Sequence, residues 1–542
     1  MTYPQVLHLR DHVHDDGDPL LNAWALAWVA HQLPRAPARL FDANIFYPER
    51  HTLAFSESLL LPAVIAAPLG WAGVGPLLVY NLVLLSGFVV SGLGVALLVR
   101  RLTGSTGPAL IAGMIFAFLP FRIDHYAHMQ LQQTQCLPFA LWAFHRLLDR
   151  GRLRDGALFG ALTAGQLLSC LYYGLLMIPY LAVVCGTLIV ARRGGGSATV
   201  PRGRVAVAMV VAIAIVLGAA VPLGKAYLGA RKVVGERGRE EVINGSATLV
   251  DYLGPPPENV LYGKALEHFA VSERRLFPGL VAVALALVGV AGPRTARNHE
   301  TTKGRSTQAA YVLGLLIAFD ISLGYNGFTY PILYEYFVPF RALRIPARNG
   351  IIVGLSLAVL AGYGAARIAA TARSAAAVHV VLLAIAGLIT AEYMSRPLPM
   401  VAIPLTPPAA YDVVLRDNRD SPTTAIFEFP LSSKDDPTYM YYSTFHWQHL
   451  VNGYSGFFPP SYVFLANAVE NFPDNASIYA IKSHGARYLL VHGERLLGGR
   501  YEELTAQLGA RPELTLFART PAEREGQHGE ISIYRVSYQE GR

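Results

Sequence analysis

The stretch GALFGALTAGQLLSCLYYGLLMIPYLAVVCGTLIVA, Gly156–Ala191, runs for 36 residues without a charge. A helix rises about 1.5 Å per residue and the hydrocarbon core of a bilayer is about 30 Å thick, so roughly 20 apolar residues make one crossing. As one helix the stretch would measure about 54 Å, too long for a single pass. Tyr172-Tyr173-Gly174 is the natural place to divide it into two spans. The chain therefore reads as a polytopic α-helical membrane protein.

Working outward, similar runs occupy Pro76–Val99, Gly107–Phe121, Thr134–Leu148, Val205–Leu223, Leu276–Gly292, Ala309–Leu323, Gly350–Ala366 and Ala376–Ala391. Together they predict about ten spans. The composition agrees: 53% of the 542 residues are hydrophobic and 15% charged, against roughly a quarter charged in soluble domains. Lys and Arg fall in every second connection: Arg100/Arg101, Arg146–Arg154, Arg192–Arg204, Arg294–Arg305 and Arg367/Arg373. Positive charge marks the cytoplasmic side. The segment before Pro76, the loops 224–275 and 324–348, and everything after Arg396 are thus expected outside. The outer N-terminus then calls for a further span ahead of Asp18, or for insertion of Leu20–Leu33 itself.

Leu20–Leu33, with Trp24 and Trp28, suits an amphipathic interfacial helix. Glu57–Gly73, interrupted by Pro62 and Pro68, reads as re-entrant or interfacial. Three regions follow: residues 1–75, an acidic outer loop with interfacial helices; 76–394, the transmembrane bundle; and 395–542, a small soluble α/β domain. In the last, strands are expected at Ala425–Phe429, Arg487–His492, Glu513–Ala518 and Ile531–Val536, and helices at Tyr462–Asn471 and Arg500–Leu508. The net charge of +8 is dispersed over short loops, which argues against nucleic acid as a partner. Cys136, Cys170 and Cys185 lie in apolar stretches without metal-ligand spacing and read as small buried hydrophobes. The glycine patch Gly194-Gly195-Gly196 falls in a cytoplasmic loop.

Several polar clusters carry candidate chemistry. His14-Asp15-Asp16-Gly17-Asp18-Pro19 concentrates carboxylates beside the membrane. A partly desolvated carboxylate there can serve as a general base, and Asp18 can equally cap a helix that starts at Pro19. Asp124, His125 and His128 share one outer loop, where they can hold a divalent cation (Mg or Mn) or a phosphate, or simply anchor the interface. Arg341, Arg344 and Arg348 stand on the outer side, where positive charge is normally depleted, so a lipid phosphate is their natural ligand. Headgroup contact or pairing with Glu335 is the plainer alternative. Asp320 is an ionisable group near the outer end of a span. Glu267, His268 and Glu273 of the long loop read individually as structural. The aromatic segment Tyr439–Phe464, with His446, Trp447 and Tyr454, offers ring faces for a sugar or for docking on a membrane surface.

In this order the features resemble the GT-C superfamily of membrane glycosyltransferases, which includes protein O-mannosyltransferases, aminoarabinose transferases and YfhO-like proteins. Gly17-Asp18-Pro19-Leu20-Leu21-Asn22 looks like the Gly-Asp-x-x-x-Gln of the YfhO-like members, and Pro62–Pro68 occupies the place of their interfacial helices. Gly156–Ala191 and Arg344-Ile345-Pro346-Ala347-Arg348 are similar to corresponding elements. The Asp-Glu pair of mannosyltransferases is not reproduced, which leaves Asp15, Asp16 and Asp18 as alternative bases. The resemblance implies inverting transfer of a sugar from a polyprenyl-phosphate donor to a glycan, lipid or protein acceptor outside the cell. A lipid-linked oligosaccharide flippase and a non-catalytic subunit of an envelope assembly complex are the alternatives.

Overall fold

The computed structural model describes residues 2–194, 200–291, 302–419, 423–496, 499–522 and 529–538. Gly195, Gly196, Gly292, Arg294 and Arg297 lie outside them. Most of each apolar run is helical in its described part: Pro76–Thr103, Thr106–Ala117, Cys136–Arg150, Leu153–Ser169, Leu171–Gly194, Arg202–Val234, Leu280–Ala291, Thr302–Ser322, Gly350–Ala370 and Ala375–Glu392. Six of the described helices are long and apolar enough to cross a membrane, fewer than the number of runs. Cys136–Arg150, Leu153–Ser169 and Leu280–Ala291 measure only about 18–26 Å at the helical rise. The chain is a multi-pass membrane protein.

The break in the opening run falls at Cys170, whose extended backbone (φ −154°, ψ 107°) ends the first helix. The expected hinge at Tyr172-Tyr173-Gly174 is instead helical. Gly174 serves close packing: a Cβ there would lie 2.6 Å from the Cα of Leu167. Leu276–Gly292 likewise starts late, at Leu280, because Pro278 and the left-handed Gly279 (φ +89°) delay the helix.

The chain forms two compact units. The first comprises Met1–Val6, Val83–Leu223 and Glu236–Leu398. Its central helix, Gly350–Ala370, is apolar all round and buried along most of its length, as a helix without a polar face must be. It crosses Leu280–Ala291 at Gly289 and Gly364, where a Cβ would come 2.1 Å from the Leu360 carbonyl oxygen and 1.9 Å from that of Leu285. Small residues at such crossings let backbones touch. Gly364→Leu should therefore lower stability by about 3 kcal/mol or more, since nothing but backbone movement relieves the overlap. Gly186→Ala, where a Cβ meets nothing within 4 Å, should be neutral or stabilising by up to about 1 kcal/mol. Thermal unfolding in detergent compares the two; equal midpoints would refute the crossing.

The second unit comprises Leu7–Leu82, Gly224–Gly235 and Pro399–Arg542. Its strands are β1 (His12–Val13), β2 (Val401–Ala402), β3 (Ala425–Phe429), β4 (His449–Leu450), β5 (Tyr488–His492), β6 (Leu514–Pro521) and β7 (Glu530–Val536). β1 and β2 make an antiparallel ribbon, and the others form one sheet in the order β4-β3-β5-β7-β6. β3 runs parallel to β4 and β5, while β7 is antiparallel to β5 and β6. Pairing of Ile426 with Tyr488 and of Leu489 with Tyr534 sets the register that buries Phe427, Leu489 and Tyr534 in a core closed by Leu465, Ile481, Leu504 and Leu508.

The helix Asp18–Gln32 packs on Leu60–Trp71 and Asp436–His446 and is buried from Pro19 to Leu26 and from Trp28 to Ala30. It is a core helix of this unit, which corrects the amphipathic interfacial reading of Leu20–Leu33: protein neighbours cover several of its sides. Leu60–Trp71 is a short helix of about 18 Å with Pro68 inside it.

A charged network is buried at the ends of β3 and β5. His492 Nε2 lies 2.6 Å from Glu428 Oε2, its Nδ1 3.1 Å from Glu494 Oε1, and the Tyr411 hydroxyl donates to Glu428 Oε1 at 2.9 Å. Burial acts to lower the imidazole pKa, but the bonds to Glu428 and Glu494 prevail and push it up to about 9. A group whose folded pKa is raised contributes stability that is full below its unfolded value, about 6.5, and is lost as pH rises through the folded value. The unfolding midpoint should therefore decline between pH 6.5 and pH 9, and His492→Gln should flatten that decline. An unchanged slope in the variant would exclude His492 as its source.

Candidate functional site

In the second unit the carboxylate cluster becomes a turn followed by a helix. Gly17 is the N-cap residue, and its carbonyl accepts the N–H groups of Leu20 (3.0 Å) and Leu21 (3.2 Å). Asp18 is the first helical residue, not the cap, and Pro19 follows where no N–H partner is required. Asp15 Oδ1 accepts the Gly17 N–H at 2.9 Å, and a Cβ on Gly17 would stand 3.2 Å from that oxygen. Burial raises the Asp15 pKa. Asp18 Oδ1 accepts a hydrogen bond from the Tyr454 hydroxyl at 3.0 Å. Asp16 is half-buried beside them in sequence.

The segment carrying Tyr454 is held from beneath. Asn452 accepts the Glu428 N–H at 2.7 Å and donates to Asp436 Oδ1 at 2.9 Å, while the Tyr462 hydroxyl donates to Asp436 Oδ2 at 2.6 Å. Burial pushes the Asp436 carboxyl up to about 7. Tyr454, expected as a sugar ligand, is thus brought to the carboxylate loop from more than four hundred residues away.

Trp447 sits in the left-handed region (φ 55°) and stacks on His31 with ring centroids 4.0 Å apart. Burial pushes the His31 pKa down to about 4. Those two rings line both a mostly apolar groove of about 840 Å³, with Trp71 and Phe445, and a second pocket of about 430 Å³, with Asn44, Tyr47 and His449. Asp18 lines neither. His446 is buried, stacked on Tyr411 at 4.7 Å, with Nδ1 accepting the Gln448 N–H. Burial drives its pKa to about 3. As a core ring it is out of reach of a sugar, which corrects its assignment.

In the first unit the histidine loop meets a residue that sequence reasoning had set aside. Glu273 Oε2 lies 3.3 Å from His125 Nε2, and its Oε1 3.7 Å from His128 Nε2. Arg348, buried, grips the same carboxylate through Nε and Nη2 at 3.0–3.2 Å and lies over the Tyr172 ring at 5.3 Å. Glu273 adopts φ 66°, a left-handed conformation uncommon for its type. Its signal in the sequence was a carboxylate directly ahead of Arg274 and Arg275 at the foot of a span. Asp124 pairs with Arg275 at 2.6 Å. This donor set does not fit a Mg or Mn ion. Each carboxylate is matched by a guanidinium, so a dication would face two like charges.

The remaining candidates separate by their partners. Asp320 accepts the N–H groups of Phe328 (2.9 Å) and Thr329 (2.8 Å), capping the helix Thr329–Tyr336. It is a structural cap and not an acceptor or metal ligand. Arg341 donates to the carbonyls of Tyr334 and Glu335, closing the other end of that helix, so the pairing with Glu335 is through its backbone. Arg348 spends its donors on Glu273. Arg344 is 40% exposed, 3.7 Å from Glu241, a carboxylate that Arg237 also engages at 3.1 Å. Two guanidinium groups thus surround one carboxylate, an excess of positive charge that suits an anion.

No family model and no curated protein matches the chain. Among solved structures, the cryo-EM structure of the mycobacterial arabinofuranosyltransferase AftD is similar at TM-score 0.62 and 15% identity, covering 96% of this chain and 39% of that one. A point variant of AftD gives TM-score 0.60 at 14% identity, with 96% and 41% covered. The archaeal oligosaccharyltransferase AglB from Archaeoglobus fulgidus gives TM-score 0.41 at 14% identity, with 96% and 70% covered. The chain thus spans about two fifths of the length of AftD. It has the fold of the GT-C membrane glycosyltransferases.

Proposed function

We propose that the chain transfers a sugar, with inversion, from a polyprenyl-phosphate donor to the hydroxyl of a glycan, lipid or protein acceptor at the outer face of a bacterial plasma membrane. The observation that carries this reading is Asp18. It is a carboxylate at the first turn of a helix, oriented by Tyr454, on a fold shared with a membrane arabinofuranosyltransferase. In the step assigned to it, Asp18 takes the acceptor hydroxyl proton while the acceptor oxygen bonds to the anomeric carbon. The anomeric carbon–phosphate oxygen bond breaks, and its electron pair leaves on the polyprenyl phosphate.

The test is release of polyprenyl phosphate by the chain reconstituted in liposomes, with a pentofuranosyl lipid as first donor and a hexosyl lipid as second. Release that depends on acceptor supports transferase activity. Movement of the intact donor across the bilayer without release would identify a flippase, and neither outcome would leave an assembly subunit.

A further inference from the structure

We propose that His8, Asp11 and His12, in the second unit, form a site for a divalent transition-metal ion of the zinc class. The stretch His8-Leu9-Arg10-Asp11-His12 folds into a single turn, with the His12 N–H donating to the His8 carbonyl at 3.2 Å. Residues spaced by three and four share one side of such a turn. The imidazole centroids of His8 and His12 are 4.5 Å apart, and Asp11 Oδ1 lies 2.8 Å from His12 Nδ1. One donor atom from each of the three residues falls within 4.8 Å of the other two. Among the described residues this is the one group of His, Cys, Asp and Glu with that spacing.

The backbone of the turn is already fixed. Buried Asn81 donates its amide to the carbonyls of Leu9 (2.8 Å) and His12 (3.0 Å), Ile403 N–H donates to the Asp11 carbonyl at 2.7 Å, and His12 pairs with Ala402 in the β1–β2 ribbon. Only side chains need move. A tetrahedral ion with bonds of about 2.0–2.1 Å wants donors about 3.3 Å apart. Rotation of the exposed His8 ring supplies the difference. Two imidazoles and one carboxylate match zinc and its first-row neighbours, whereas Mg and Ca favour all-oxygen sets. Three protein ligands leave a coordination position open to water or a small anion. The contrast with the Glu273 cluster is electrostatic: there both carboxylates are held by guanidinium groups, and here Asp11 faces an imidazole that a metal can recruit.

The experiment uses the full chain in detergent, stripped with a chelator and titrated with zinc by calorimetry and with cobalt by visible absorption. Expected are one ion per chain and the intense ligand-field bands of tetrahedral cobalt. His8→Ala, Asp11→Asn and His12→Gln should each weaken binding at least about tenfold, since a direct ligand matters no less than an outer-shell partner. His8 is exposed, so His8→Ala should keep the metal-free unfolding midpoint, which separates lost binding from lost fold. Absence of saturable binding, unchanged affinity in His8→Ala, or dependence on His125 and His128 instead would each overturn the proposal.

Discussion

Asp18→Asn should lower kcat for sugar transfer by about 10²–10⁴-fold, the range attributable to a positioned general base, with little change in KM for the lipid donor. The substitution is nearly isosteric. The asparagine Oδ1 can still accept the Tyr454 hydroxyl, and the first helical turn loses only the charge–dipole term, about 0.3–1 kcal/mol, so the fold should persist. What disappears is the proton acceptor. Asp15→Asn is the internal comparison. Asp15 builds the turn by accepting the Gly17 N–H, a bond that an amide oxygen reproduces, so that variant should keep activity within a few-fold of the parent. Measurement of polyprenyl phosphate released under single-turnover conditions separates chemistry from product release. If Asp18→Asn retains half the parental rate, Asp18 is not the base. If Asp16→Asn alone collapses the rate, the base is its neighbour.

How far such assignments could be reached without coordinates differs by element. Ala425–Phe429 is helical by no measure of pattern, being short, apolar and rich in aromatic residues, and it is a strand with the expected bounds. The two-residue strands β1, β2 and β4 carry no period at all and exist only through their partners. The break at Cys170 brings Gly174 against Leu167, a contact between two helices that one-dimensional periodicity does not contain. The polar residues follow the same rule. Arg348 and Asp320 were visible as charges in unusual places, but their partners, Glu273 and the N–H groups of Phe328 and Thr329, decide what they do. Residue type and topology advertise a charge. Whether it is spent on the protein or left for a ligand is settled by the loop that folds back onto it, and for Tyr454 and Asp18 that loop lies at the far end of the chain.

Glu273→Gln should destabilise the first unit by about 3–5 kcal/mol, the cost of leaving a buried charge without its partner. Arg348 has only 8% of its side chain exposed, and its Nε and Nη2 donors converge on this one carboxylate. The double variant Glu273→Gln/Arg348→Met should recover most of the loss, because a neutral apolar pair avoids desolvating two ions. The coupling between the two sites follows from the unfolding midpoints of the four proteins. A double variant no more stable than the single would show that the pair is not what matters. The pH dependence has a definite sign. Burial acts to raise the Glu273 pKa, yet the hydrogen bond with His125 and the charge of Arg348 hold the carboxyl far below the usual range. A depressed folded pKa gives stability that is full above the unfolded value, about 4.3, and is lost as pH falls below it. The gap between parent and Glu273→Gln should therefore narrow under acid and stay constant at neutral pH. The backbone supplies an independent check, because Glu273 is held at φ 66°. Glycine tolerates that conformation and alanine does not, so Glu273→Gly should be less damaging than Glu273→Ala by about 1 kcal/mol, although both lose the same carboxylate.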